Sequence, residues 1–394
     1  MVNFIARGGI TAIQPFGWVL CAVLVVVGCG DESADPDRPD NMFPRVSNIL
    51  DALSSAGLGD YLNTVEPVSE ARLSPASQWT RQEFDPASGA VCANGSPFFS
   101  AYREGSENNL MVLLDSGGAC WNDLTCAIGT AASDPSPPGR EGLLSAWTEA
   151  VTADWHTLFV PYCDASVFVG DNVVQFPRAG ERVFHGLRNL SAALGVAASK
   201  MPDPDQVLVV GQSAGGYGAI FATGPTRLTY PTAEMLLFAD SGTGVTNPEN
   251  ELQLADFRAN WRFTDRLPCA SCDPQYIRFV GWMLQNDSRF RRAGIFSFTG
   301  DETMRQFLGT IGLFSFTPLS RAEFGSMVRS EFQRLEEHFV GRFEYFLAPG
   351  DAHIVSDDDD LFTQTAVDGI TALDWFNGLV RRNGDFRSVD HGRQ

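Results

Sequence analysis

The run Gly211-Gln212-Ser213-Ala214-Gly215-Gly216 sets a serine among residues with little or no Cβ. It follows a strand-like stretch at 206–210 and leads into a small-residue helix at 218–222. In that setting the turn is tight enough to push the hydroxyl out at the carboxyl end of a sheet. The helix that starts there aims unpaired N–H groups and a partial positive charge at the same point. The chemistry this permits is nucleophilic attack by Ser213 on a carbonyl carbon.

A serine hydroxyl needs a base within hydrogen-bond reach, and the base needs an acid to orient it. The chain has five histidines. His185 and His338 fall inside helical patterns, His156 precedes a strand, and His391 lies in the last few residues. His353 sits in a loop directly after a strand, in Ala348-Pro349-Gly350-Asp351-Ala352-His353, and is the expected base. Asp240 and Asp301 each follow a strand between Ser213 and His353. The order serine, acid, histidine is that of the α/β hydrolases. In that fold the acid usually follows the later strand, so Asp301 is favoured and Asp240 is read as a turn-forming or supporting carboxylate. Asp351 is a helper candidate only.

Ester hydrolysis places negative charge on the carbonyl oxygen, which fixed N–H donors must meet. Ala214, next to the nucleophile, should supply one. The others should come from the glycine turn after the strand at 110–114, Asp115-Ser116-Gly117-Gly118-Ala119-Cys120-Trp121, which makes Gly118 and Ala119 the candidate donors. Gly117 and Trp121 are candidates for the substrate pocket. Asp357 to Asp360 could hold Ca²⁺, but they lack the spacing and glycine of a calcium loop and read better as a solvated acidic turn.

The elements that must hold these residues follow from the apolar pattern. Runs at 110–114, 157–160, 207–210, 235–239, 295–299 and 343–348 alternate with helical patterns at 181–197, 274–284 and 321–339. That alternation predicts an α/β fold of the α/β-hydrolase type, a mainly parallel sheet flanked by helices in one catalytic domain over 46–394. A further helical spacing covers 46–62, short strands are expected at 79–84 and around Phe98 and Phe99, and Trp282, Trp375 and the phenylalanines read as core. With 394 residues and 44% hydrophobic content the chain can bury a sizeable core. A net charge of -20 argues against a nucleic-acid partner and against adhesion to anionic lipid.

Residues 1–28 read as a signal peptide, with an apolar run at 16–27 too short to span a bilayer comfortably. Val26-Val27-Gly28-Cys29 resembles a bacterial lipobox, making Cys29 the lipidation candidate ahead of a flexible acidic tether at 29–45. The expected location is therefore outside the cytoplasm, as a cell-envelope lipoprotein or otherwise secreted. Cys92, Cys120, Cys126, Cys163, Cys269 and Cys272 form an even set suited to an oxidising compartment. Several connectivities are open. Proximity favours Cys120–Cys126 and Cys269–Cys272, leaving Cys92 with Cys163. For Cys269-Ala-Ser-Cys272 a zinc or redox reading is the rival, but Pro268 and Asp273-Pro274 mark a loop.

Ser116-Gly-Gly-Ala-Cys120-Trp121, Pro161-Tyr162-Cys163-Asp164-Ala-Ser166-x-x-x-Gly170-Asp171, the Ser213 turn, Asp240-Ser-Gly242 and the His353 loop together resemble the pectin acetylesterase/Notum family. The segment from Ala366 through Trp375 looks like bacterial members, and the likeness runs from about Phe84 to Val380. The resemblance implies carboxyl-ester hydrolysis by Ser213, Asp301 and His353, oxyanion donors at Gly118, Ala119 and Ala214, disulfides close to those above, and no metal or cofactor. One departure matters: family members commonly carry a tryptophan where this chain has Ala119, so acyl-chain preference is open. The expected activity is removal of acetyl or another short acyl group from a carbohydrate by a monomer whose only membrane contact is a lipid anchor. The alternatives are a deacylase of longer or non-sugar esters, and a non-catalytic binding module on the same scaffold.

Overall fold

The apolar runs form the centre of a ten-stranded sheet. A computed structural model describes residues 42–75, 77–138, 151–311, 316–382 and 384–392. Residues 1–28, Cys29 and the tether up to residue 41 lie outside the described residues. Everything described belongs to one unit, Pro36–Gln394. The strands are β1 (Ser69–Arg72), β2 (Trp79–Glu83), β3 (Phe99–Arg103), β4 (Asn109–Leu114), β5 (His156–Val160), β6 (Gln206–Gln212), β7 (Glu234–Asp240), β8 (Phe290–Phe298), β9 (Phe343–Ala348) and β10 (Val389–Asp390). Their order across the sheet is β1-β2-β3-β5-β4-β6-β7-β8-β9-β10. Pairing is antiparallel from β1 to β5 and parallel from β5 to β10.

The central strands are apolar on both sides because both faces are covered. Val207 and Val209 of β6 face a core shared with the helices α1 (Gly186–Lys200), α2 (Ala214–Thr229), α3 (Arg278–Asn286) and, beyond the short α4 (Glu302–Phe307), α5 (Arg321–His338). Leu208 and Val210 face the opposite core, built with Trp375, Phe376 and Leu379 of α6 (Ala372–Arg381). Register then sets the site. Leu114 pairs with Gly211, Gln212 with Asp240, and Phe298 with Ala348. The carboxyl ends of β4, β6, β7, β8 and β9 therefore end at one edge, and each is followed by a candidate site residue.

Two expectations need correction. The helix expected at 181–197 starts later: Gly180–Phe184 pairs in an antiparallel hairpin with Asn172–Phe176, and α1 begins only at Gly186. With only Val183 and Phe184 apolar in that stretch, its period could not separate strand from helix. His185 thus precedes α1 rather than lying inside it, with Nδ1 2.8 Å from the Gly89 carbonyl oxygen. His156 opens β5 rather than preceding it, and its Nδ1 lies 2.8 Å from the Tyr102 hydroxyl. Neither reaches the serine turn. Trp282 and Trp375 are fully buried, as core residues. Among the described residues no helix is long and apolar enough to cross a membrane.

Candidate active site

The turn between β6 and α2 is built by close backbone approach. A Cβ on Gly211 would lie 1.8 Å from the Gly215 carbonyl oxygen, and one on Gly215 2.2 Å from that of Leu114. Neither position admits a larger residue. Ser213 itself takes φ 54°, a left-handed backbone that a serine adopts only when its surroundings impose it. Its N–H donates to the Asp240 carbonyl oxygen at 2.8 Å, and its own carbonyl oxygen accepts from Gly216 at 2.9 Å. These bonds fix where the hydroxyl points.

His353 Nε2 lies 2.7 Å from Ser213 Oγ, and His353 Nδ1 lies 2.8 and 3.0 Å from the two carboxylate oxygens of Asp301. Asp301 is fully buried at the cap of α4, where Oδ1 also accepts the Met304 N–H at 2.9 Å. That second bond holds the carboxylate in one orientation. The acid and base loops are stitched together by Gly300 N–H to the Gly350 carbonyl (2.9 Å) and Glu302 N–H to that of Asp351 (3.1 Å). Asp351 does not contact the imidazole's Nδ1, which Asp301 occupies. It forms an ion pair with Arg321, on the outer side of the loop.

Asp240 does a different job. Its carboxylate accepts from Val355 N–H (3.2 Å), Ser356 N–H (2.7 Å), Ser356 Oγ (2.5 Å) and Ser241 Oγ (3.0 Å). Gln212 donates to Ser356 Oγ at 3.0 Å, and Ser241 Oγ accepts from Ile354 N–H at 2.9 Å. Asp240 thus anchors the chain directly after His353. Burial pushes its carboxyl above the usual range, and the Ser356, Val355 and Ser241 hydrogen bonds work against that. On the other side of the serine, burial pushes Asp115 up to about 6, opposed by the Ser116 N–H and reinforced by nearby Asp357.

The glycine loop is pinned on both sides of its candidate donors. Gly118 has φ 75°, and a Cβ there would meet the Thr130 carbonyl oxygen at 2.3 Å. The Gly117 carbonyl accepts from Ala132 N–H (2.7 Å), that of Ala119 from Thr130 Oγ1 (2.6 Å), and Cys120 N–H donates to the Ala165 carbonyl (3.0 Å). The Cys120–Cys126 disulfide closes the loop, and Cys92–Cys163 and Cys269–Cys272 are also paired.

Gly118, Ala119, Ser213 and Ala214 line one small cavity, with Tyr217 and Phe307 among its walls. Its volume is about 40 Å³. Gly117 and Trp121 do not line it, contrary to expectation. Gly117 lies against the Tyr162 ring, which a Cβ would meet at 2.0 Å. Trp121 is buried behind the wall, its ring edge-on to Phe307 and Phe257 at 5.6 Å each. The lining residues that sequence reasoning missed are Val167, Tyr217, Thr303, Met304 and Phe307. Spacing held a signal for some of them: Tyr217 is one turn beyond Ser213 on α2, and Met304 and Phe307 share a face of α4. Asp358 caps a short helix, Asp359–Gln364, through the Leu361 N–H at 2.8 Å. Among the described residues no three metal-binding side chains cluster.

The sheet and this arrangement define the class, a single-domain α/β-hydrolase-type fold with serine, histidine and aspartate at the strand ends. The family model for pectinacetylesterase matches residues 78–257. Pectin acetylesterase 11 of Arabidopsis thaliana is 30% identical, and pectin acetylesterase 7 of the same plant 29% identical, each over 169 residues. Those matches cover 40% of this chain and 43% of the length of each relative. Through that segment the chain is similar to the pectin acetylesterases, and it spans less than half the length of these relatives. The family model takes in the glycine loop and Ser213, whereas Asp301 and His353 lie beyond it.

Proposed function

We propose that this protein is a serine carboxylesterase that removes acetyl or another short acyl group from a carbohydrate. The similarity of residues 78–257 to pectin acetylesterases supports an esterase acting on acetylated carbohydrate. The observation that carries the mechanism is His353 bridging Ser213 at 2.7 Å and Asp301 at 2.8 Å. His353 takes the hydroxyl proton as Ser213 attacks the ester carbonyl, and Asp301 orients and stabilises the imidazolium. The amides of Gly118, Ala119 and Ala214 receive the oxyanion. Collapse releases the sugar alcohol, protonated by His353, and leaves an acyl group on Ser213. Water activated by the same imidazole then hydrolyses that acyl-enzyme.

The cavity supports a short acyl chain. Its small volume, about 40 Å³, and walls of Val167, Tyr217, Met304 and Phe307 favour a compact acyl group beside Ser213. A series of chromogenic esters from acetate to octanoate tests this: rates should be highest for acetate, fall steeply beyond four carbons, and vanish in Ser213→Ala. A preference for octanoate would instead support the long-chain deacylase, and no hydrolysis at all the binding module.

Export completes the proposal. Three disulfides suit an oxidising compartment, and lipidation of Cys29 would tether a monomeric domain outside the cytoplasm. Mass analysis of the mature protein should find a diacylglyceryl cysteine at position 29, absent in Cys29→Ser. A mature chain starting elsewhere without lipid would leave secretion alone.

A further inference from the structure

At the opposite end of the sheet from Ser213, the amino ends of β8 and β9 and the residue after α6 border an open cavity of about 420 Å³, lined by Ser288, Arg291, Arg292, Gly341, Arg342 and Arg382. Four guanidiniums from three separate segments meet there in a chain whose net charge is -20. Three carboxylates act on them, and one of these, Asp287, bears on Arg342 while being paired with Arg227. Glu234, the first residue of β7, pairs with Arg382 and lies 3.6 Å from Arg291. Glu344 acts on Arg292 and is itself bound by Ser388 Oγ and the Gly341 N–H. Counting Arg227 with its partner Asp287, five cations against three carboxylates leave a formal charge of +2.

The remaining contacts orient these arginines without neutralising them. Arg342 donates to the carbonyls of Phe290 (2.7 Å) and Asp287 (3.2 Å), Arg292 to that of Gly378 (3.2 Å), and Arg291 to that of Ser288 (3.3 Å). Arg292 also lies over the Phe386 ring at 5.2 Å. Burial, and after it the neighbouring positive charge of Arg291, holds the Arg342 guanidinium below its usual value, opposed by the Asp287 carboxylate. Like charges gathered without full compensation raise the energy of the empty site, and an oxyanion relieves it. At roughly 10–15 Å³ per water, a cavity of 420 Å³ far exceeds one phosphate or carboxylate.

We propose that this cavity is a binding site, separate from the catalytic centre, for a ligand carrying two or more oxyanion groups held by Arg291, Arg292, Arg342 and Arg382. Planar guanidiniums take carboxylate and phosphate alike, so an acidic oligosaccharide and a polyphosphate share the required chemistry.

Calorimetric titration of the full chain with trigalacturonate and, separately, with inorganic tripolyphosphate tests the site and tells its two sources apart. At least one should bind with Kd below about 1 mM at low salt and weaken about tenfold or more at a few hundred millimolar NaCl, as screened charge contacts do. Arg291→Ala combined with Arg382→Ala should weaken binding about tenfold or more. Glu234→Gln should tighten it, and this arm stands even where the double variant folds poorly. Hydrolysis of a chromogenic acetate should be unchanged in both variants, since the site lies at the other end of the strands. No binding of either ligand, equal binding in the double variant, no tightening in Glu234→Gln, or competition with the chromogenic acetate would overturn the proposal.

Discussion

At the residue scale, two buried aspartates at neighbouring strand ends do different work. Asp301 contacts the His353 ring, whereas Asp240 holds the backbone and Ser356 that follow it. Asp301→Asn should therefore lower kcat by about three to four orders of magnitude while the protein still folds, because the amide favours the wrong imidazole tautomer. Asp240→Ala should cost about 3 kcal/mol or more of stability, since it strands four donors, each worth about 1–3 kcal/mol when left unsatisfied. Its kcat should fall less than in Asp301→Asn. Chemical denaturation and steady-state rates on both variants check this, and the reverse pattern would move the acid to Asp240.

Asp115 gives a signed pH effect at the same scale. Its carboxyl is pushed up to about 6, chiefly by burial. As pH rises past the ordinary carboxylate range near 4, the unfolded chain loses this proton first, so the native state loses stability until the pH passes about 6. Asp115→Asn removes that cost and keeps an acceptor for the Ser116 N–H. The variant should gain about 1–3 kcal/mol at pH 7 and nothing near pH 4. Thermal melts across that range check it, and a gain equal at both ends would refute it.

At the element scale, one wall of the cavity beside Ser213 is α4, the first helix after Asp301. Phe307 of α4 stands edge-on to Trp121 and Tyr217 and closes the cavity. Phe307→Ala should shift preference toward longer acyl groups. At about 0.8 kcal/mol per buried methylene, butyrate should gain roughly tenfold over acetate in relative kcat/KM. The oxyanion loop makes a parallel case. Removing the Cys120–Cys126 pair by double alanine substitution should reduce kcat more than it raises KM, because a loosened oxyanion donor is worth about 3 kcal/mol in the transition state. A change in KM alone would assign the disulfide to substrate binding instead.

Which elements were legible follows from their local physics. The strands β4, β6, β7, β8 and β9 are short apolar runs ended by Gly, Asp or Ser, and the Ser213 turn admits only glycine at positions 211 and 215. His353 and Asp301 were legible because each follows one of those strands. The cavity walls were not, since Phe307 and Tyr217 lie about ninety residues apart and meet only in three dimensions. The hairpin Asn172–Phe176 with Gly180–Phe184 was missed because its strands are five residues each and only part-buried, too short for the apolar pattern to mark them. Gly117 and Trp121 were misplaced for another reason. Nearness in sequence to the oxyanion loop does not say which way a residue faces, and both turn toward buried aromatic rings.

At the scale of the whole molecule, the two ends of the sheet differ in character. The carboxyl end gathers the glycine loop, the serine, two aspartates and the histidine from five strands. At the opposite end, the starts of β8 and β9 and the residue after α6 gather arginines. Each loop at the Ser213 edge is anchored to a neighbour by backbone or carboxylate hydrogen bonds, so the constellation is held in place by the fold itself. That preorganisation is the central claim: Ser213 is a nucleophile activated by His353 and oriented through Asp301. The most direct measurement is intact-mass and peptide mapping after treatment with a fluorophosphonate, followed in parallel by hydrolysis of a chromogenic acetate. The account predicts one label per chain, on Ser213, with activity lost in step and labelling abolished by His353→Ala. A label on another residue, or full activity retained by a chain labelled at Ser213, would contradict it.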